Sequence, residues 1–203
     1  MSEGYIVPSI MCIVEGDGED AAVRSLVRRI VTDIDPNSYV EVPHIFRVHR
    51  TKVVRPGQLE NAIEIAARRI HGRGAILVLL DSDDDCPATL GPELLRRARQ
   101  QRGDVPLSVV LAHREYEAWF LAAAESLRDH RKIDPNFSPL RSLPESYRDA
   151  KGQVRAMMRS KSYSPTVDQA SLTKYFDITA ARSADSFDKC YRDIESLINQ
   201  LFA

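Results

Sequence analysis

The sequence has no apolar run near the roughly 20 residues that would span a bilayer, so no membrane segment is expected. Its opening, Met1–Ser2–Glu3–Gly4, lacks the positive flank and apolar stretch of a secretory leader, which makes a cytoplasmic protein the expectation. Cysteine is scarce. Cys12, Cys86 and Cys190 are odd in number and far apart, which argues against a disulfide framework and against a zinc site. An excess of either charge is missing too: 28 Lys and Arg against 29 Asp and Glu leave a net charge of −1. A global electrostatic pull toward nucleic acid is therefore excluded, and any basic surface must be local. The candidates are Arg68, Arg69 and Arg73, then Arg96, Arg97, Arg99 and Arg102, then Lys151, Arg155, Arg159 and Lys161. Runs of this kind are usually solvated helix faces. The 151–161 stretch stands out because it contains no acid to offset its bases.

What is present suits one well-buried core. The chain has 203 residues, of which 43% are hydrophobic, so a globular fold is expected and disorder is not. Apolar runs at 10–14, 75–80 and 107–112 read as strands buried on both faces of a parallel sheet. Helical periodicity fills the spaces between them, at 19–33, 57–71, from about Gly91 to 102, and at 115–127. In the last of these Tyr116, Phe120, Ala123 and Leu127 face inward, and Trp119 and Phe120 read as core. Residues 39–49 are strand-like, but Pro43 points to an edge strand or bulge. The alternation of strand and helix predicts an α/β fold with a mainly parallel sheet and helices on both faces. After residue 130 the pattern weakens. Only 150–159 and 186–202 look helical, so residues 131–203 are expected to form a mostly helical extension packed on a 1–130 α/β domain.

Two acidic clusters follow directly on two of these strands. Glu15–Gly16–Asp17–Gly18–Glu19–Asp20 follows the first, and Asp81–Ser82–Asp83–Asp84–Asp85 follows the 75–80 run. Parallel strands deliver their last residues to the same edge, so carboxylates distant in sequence can meet there. Crowded carboxylates repel unless protons or a cation hold them, which makes hard-metal chemistry the leading idea. Each cluster also has a plainer reading. Glu15 with its glycines fits an ordinary strand–helix turn, and the aspartates fit a solvated loop. If the chain after Asp81 stays extended, Asp81, Asp83 and Asp85 share one face. The spacing lacks the glycine and final Glu of a calcium-binding helix–loop–helix site. A third segment, His113–Arg114–Glu115–Tyr116–Glu117, reaches the same edge. It offers Glu117 as a ligand or structural partner, Glu115 as a helix-start acid, and His113 and Arg114 as phosphate contacts.

Val14–Glu15–Gly16–Asp17–Gly18–Glu19 with Leu80–Asp81–Ser82–Asp83 resembles the Toprim pattern of a Glu after one strand and an Asp-x-Asp after a later one. The segment from Arg114 through Phe120 resembles Toprim-like proteins related to the overcoming-lysogenization-defect nucleases. Tyr163, Lys174–Tyr175–Phe176–Asp177 and Ser186–Phe187 are similar to the bacterial domain-of-unknown-function family 4276. The resemblance implies a Toprim/Rossmann-like sheet and magnesium- or manganese-dependent phosphodiester hydrolysis of nucleic acid. It implies Glu15 as general acid or base and Asp81 and Asp83 as primary metal ligands; in the nuclease reading built on it, Glu15 also joins the metal, Asp85 and Glu117 assist, and Glu19 is a further candidate. Arg114, Lys151, Arg155, Lys161 and Lys174 would hold phosphates. Such families often act beside an ATPase in phage defence. No Gly-x-x-x-x-Gly-Lys segment occurs here, so an ATPase would be a second protein, and a homo-oligomer remains open. Two other readings stay in play: a non-catalytic module binding an ATPase or nucleic acid, and a small-molecule phosphotransferase or phosphatase.

Overall fold

Among the described residues the apolar runs form four strands of one sheet: β1 (Ser9–Val14), β2 (Phe46–Arg47), β3 (Gly74–Asp81) and β4 (Leu107–Ala112). The computed structural model describes residues 7–16, 18–43, 46–48, 53–138 and 140–203. Asp17, His44, Ile45, His49 and the start of the expected 50–56 loop lie outside them. The strand order is β2-β1-β3-β4 and every pairing is parallel, so the fold is α/β as expected. Ile13 lies opposite both Phe46 and Val78, and Asp81 lies opposite Ala112.

Successive side chains of a strand point to opposite faces, and the core divides accordingly. Ile10, Cys12, Val14, Leu77, Leu79 and Val110 join α1 (Glu19–Ile34) and the C-terminal elements on one face. Met11, Ile13, Ile76, Val78, Leu80 and Val109 face α2 (Gln58–Arg68) and α3 (Pro87–Gln101) on the other. The chain leaves β1 toward β2 on one side and then crosses to β3 on the other. The gap between the carboxyl ends of β1 and β3 is thus a topological switch point, where open α/β sheets form their clefts. Glu15 and Asp81 stand at its two sides.

Three local expectations are corrected. Among the described residues the 39–49 stretch supplies an edge strand as expected, but only at Phe46–Arg47, with a single bridge from Glu41 to Ser9 and Pro43 between them lacking the N–H that a ladder needs. α3 begins at Pro87 rather than at Gly91. Pro87 takes the first-turn position, and Pro92 sits inside the helix on its exposed side. The expected 115–127 helix is broken into turns at 115–117, α4 (Ala118–Ala122) and a 3-10 turn at Ala124–Leu127. Its first turn is diverted because Asp81 Oδ1 accepts the Tyr116 N–H at 2.7 Å. The inward residues are as expected, for Tyr116, Phe120, Ala123 and Leu127 are all buried.

The C-terminal segment holds more structure than its sequence suggests. It has α5 (Ala150–Met157), a π-type turn at Pro165–Gln169 running into α6 (Ala170–Thr173), then α7 (Ile178–Ala181) and the long α8 (Asp185–Phe202). Phe176 and Phe187 pack edge-on against Phe120 and Trp119, with ring centroids 5.8 and 5.2 Å apart. Such pairs add about 0.5–1.5 kcal/mol each beyond the area they bury. Trp119 is fully buried and donates its indole N–H to Ser186 Oγ at 2.8 Å. Among the described residues no helix is long and apolar enough to cross a membrane.

Candidate functional site

The site is assembled at the carboxyl rim by three segments of the sheet region and two from beyond residue 130. Glu15 leaves β1 half-buried. Four residues on, Glu19 folds back, and its Oε2 accepts the backbone N–H groups of Glu15 (3.0 Å) and Gly16 (3.3 Å). Burial raises the Glu19 carboxyl to about 7, against those two hydrogen bonds and with the charges of Glu15 and Glu117 adding to the rise. Gly18 makes the turn possible. A Cβ there would stand 2.7 Å from the carbonyl carbon and oxygen of Pro165. The bare glycine lets the Pro165–Gln169 turn lie against the mouth of α1.

Asp81 ends β3 with its carboxylate turned inward. Oδ1 holds the Tyr116 N–H, and Oδ2 lies 3.6 Å from Lys151 Nζ. Burial, then the neighbouring Glu19, pushes its pKa well above the ordinary carboxylate range. Glu117 is fully buried. Its Oε1 accepts the Tyr163 hydroxyl at 2.7 Å and Gln169 Nε2 at 3.3 Å. Its Oε2 has no hydrogen-bond partner, with Lys151 Nζ 3.7 Å away. Burial raises this carboxyl as well. An ionised oxygen in such a place costs several kcal/mol unless something positive faces it.

Lys151, in the first turn of α5, supplies that charge. Its Nζ lies 3.0 Å from Glu115 Oε1, 3.6 Å from Asp81 and 3.7 Å from Glu117. Its backbone N–H donates to Glu115 Oε2 at 2.9 Å. Burial disfavours the ammonium, but Glu117, Asp81 and Glu115 together outweigh it and raise its pKa. An ammonium therefore stands among the carboxylates that the sequence offers as metal ligands. Among the described residues no three His, Cys, Asp or Glu side chains are grouped so as to hold a metal ion.

The aspartates after Asp81 go elsewhere, which corrects the expectation of a shared extended face. Ser82 is buried and its Oγ accepts the Arg114 N–H at 2.8 Å, tying the ends of β3 and β4. Asp83 then turns left-handed at φ 50°, and Arg114 opposite does so at φ 64°. Asp83, Asp84 and Asp85 are exposed and line a neighbouring cleft of about 740 Å³ with His113, Arg114 and Glu145. Arg114 pairs with Asp84 at 3.3 Å.

The basic candidates also separate. Lys151 enters the carboxylate cluster, whereas Arg155 is exposed further along α5. Lys161 Nζ donates to Ala156 O at 3.0 Å and lies 3.7 Å from Asp134. Lys174 lines a groove beside α1. The acid-free 151–161 stretch thus finds its acids in space, at Glu115 and Asp134. Tyr163 and Gln169 are the site residues that residue-by-residue reasoning misses, since neither carries a charge or a periodic signal.

What fold and rim define is an α/β protein with a buried acidic cluster at the β1/β3 switch point. The chain belongs to the family described as domain of unknown function (DUF4276), whose sequence model matches residues 14–195. No curated protein and no solved structure matches it.

Proposed function

We propose that this protein is a divalent-cation-dependent phosphodiesterase acting on nucleic acid, of the Toprim type that its motifs resemble. The observation that carries the proposal is the buried Glu117 carboxylate beside Asp81, with Oε2 lacking a hydrogen bond, near the carboxyl ends of β1 and β3. No three ligating side chains are grouped among the described residues, but magnesium takes only one or two protein carboxylates and completes its shell with water, and the pair Asp81 and Glu117 fits that need. Asp81 and Glu117 would hold the ion, with Glu15 and Glu19 beside them and Asp83 and Asp85 at the adjoining cleft. A bound ion would stabilise the negative charge that builds on the attacking and leaving oxygens.

The chain's own groups supply the rest. Glu15 is half-buried and stands at the strand end, where it can take or return a proton. Glu19, raised to about 7, is a second proton acceptor near neutrality. The Lys151 ammonium, once displaced from the carboxylates, offers three donors to a phosphate oxygen. Arg114 and Arg155 are further phosphate contacts. An ATPase acting with the chain would be a separate protein.

The test is cleavage of supercoiled plasmid, linear DNA and RNA with magnesium, manganese or EDTA. Nicking that EDTA stops, and that Asp81→Asn and Glu15→Gln each reduce by about 10²–10⁴, is the expected result. Asn at 81 keeps an oxygen for the Tyr116 N–H, so the loss would not reflect a lost cap. A second reading is favoured by the position of Lys151, which already neutralises part of the cluster. In that reading the protein is a non-catalytic nucleic-acid or ATPase-binding subunit. Binding without cleavage under every metal condition would select it.

A further inference from the structure

We infer that the groove between α1 and the α6–α7 segment binds the sugar–phosphate backbone of a single-stranded nucleic acid running away from the acidic cluster. This deepens the reading of the chain as a nucleic-acid phosphodiesterase and rests on it. The groove has a volume of about 680 Å³ and is lined by Arg24, Ser25, Arg28, Arg29, Thr32 and Lys174. Residues four apart share one stripe of a helix, so Arg24, Arg28 and Thr32 line up along α1. α1 begins at Glu19, inside the cluster. At 1.5 Å per residue, Arg24 lies about 7 Å and Arg28 about 13 Å along the axis from it. The lining of the groove begins at Ala21, two residues past Glu19, and leads along α1 away from the cluster.

Part of its charge is not spent on the fold, although Arg24 pairs with Asp20 at 2.8 Å. Arg28 and Lys174 are exposed, and among the described residues neither side chain has an ion-pair partner. Asp33, the acid in the lining, accepts the Tyr191 hydroxyl at 2.9 Å. On the opposite face of the sheet Arg96 and Arg99 likewise make no ion pair among the described residues, but others there are paired. Arg68 pairs with Glu64, Arg97 with Glu60 and Arg102 with Asp104, all at 2.7–2.8 Å. Arg29 braces the groove wall by donating to the carbonyls of Thr173 and Phe176, with its guanidinium 5.1 Å from the Phe176 ring centre. The groove is thus a preformed cationic channel on a chain whose net charge is −1. A positively charged groove that tracks a backbone is how single strands are held without base readout. The groove is shallow and open to solvent, with α1 along one side and Lys174 and Ile178 along the other.

The test is fluorescence anisotropy of a labelled 15-nucleotide single-stranded DNA in EDTA, which prevents metal-dependent cleavage, over a salt series. Arg28→Glu and Lys174→Glu are each expected to weaken binding about tenfold. Each should also flatten the dependence of log K on log salt by about 0.7 for every phosphate that the variant no longer neutralises. Arg96→Glu, on exposed α3, should bind like wild type. Equal affinity of the two groove variants and wild type overturns the inference, and so does tighter binding of duplex than of single strand. Displacement of the DNA by millimolar inorganic phosphate at constant ionic strength also overturns it, since that marks a simple anion site. Plasmid cleavage by the groove variants, if it persists while binding is unchanged, refutes the groove and leaves the nuclease reading standing. Groove-dependent binding by a wild type that cleaves nothing does the reverse.

Discussion

Replacing Lys151 by Met removes the ammonium from between Asp81, Glu115 and Glu117 while keeping most of the apolar stem. In the wild type Nζ lies 3.0–3.7 Å from an oxygen of each. Removing one partner of a buried ion pair costs about 3–5 kcal/mol, because the remaining charge is left uncompensated. The Lys151 side chain is 36% exposed, so water screens part of the loss and about 2–3 kcal/mol is the better figure. For a chain of this size 1 kcal/mol corresponds to about 2–4 °C, which predicts a melting temperature lower by roughly 5–10 °C at neutral pH in EDTA. The loss should shrink in acid. There Asp81 and Glu117, both already raised by burial, take up protons instead of repelling one another. Millimolar magnesium should then stabilise the variant more than the wild type, since a cation would fill a space no longer held by the ammonium. At ten times its dissociation constant the gain is about 1.4 kcal/mol. Differential scanning fluorimetry reads all of this. A variant that melts within a degree of wild type at neutral pH refutes the role given to Lys151, and equal magnesium shifts in both proteins refute the competition.

Two further outcomes follow from the same rim. Glu19 is held at about 7 when folded against an ordinary 4.5. The stability it contributes is present below pH 4.5 and is lost as pH rises through 7, up to ~3 kcal/mol at 1.36 kcal/mol per unit. Urea melts should therefore show Glu19→Gln flattening the fall in stability between about pH 4.5 and 7, and an unchanged pH profile would refute the burial argument. Gly18→Ala places a Cβ 2.7 Å from the Pro165 carbonyl. Overpacking of this kind costs about 1–3 kcal/mol. Chemical denaturation should detect that cost, and a variant as stable as wild type would show that the turn yields freely.

The parts of the site legible in the sequence are those set by strand periodicity. β1, β3 and β4 are uninterrupted apolar runs, and a parallel sheet brings Glu15 and Asp81 to one rim without further information. Glu117 is within reach of the same logic because it follows β4 by a few residues. Legibility ends where backbone conformation changes without a residue-type signal. Alternation past Asp81 requires an extended chain, but Ser82 ties into β4 and Asp83 turns left-handed. It ends again where charge is counted along the chain. Residues 151–161 lack acids in sequence, but Glu115 reaches Lys151 and Asp134 reaches Lys161. Periodicity puts the α1 arginines off the core, as they are, but the periodicity of one helix does not disclose that Lys174 lies across from them. Tyr163 and Gln169 are polar and uncharged, and their part in holding Glu117 exists only through tertiary packing.

The location of Lys151 also decides how the competing readings of this protein divide. Its backbone N–H is anchored to Glu115, and its side chain reaches the cluster from a partly exposed helix start. The ammonium can therefore leave the carboxylates by rotating its own bonds, with no rearrangement of the buried aromatic core. The energy of that departure is set by Asp81 and Glu117, which the same movement would open to a doubly charged ion. A divalent cation carries twice the charge of the ammonium it replaces and faces an oxygen of Glu117 that makes no hydrogen bond now. If that exchange is favourable, the released lysine is placed beside the bound ion, where a phosphate would be held by both. If it is not, the ammonium acts as a permanent internal counter-ion, and the reading as a non-catalytic binding subunit would rest on the proposed groove along α1.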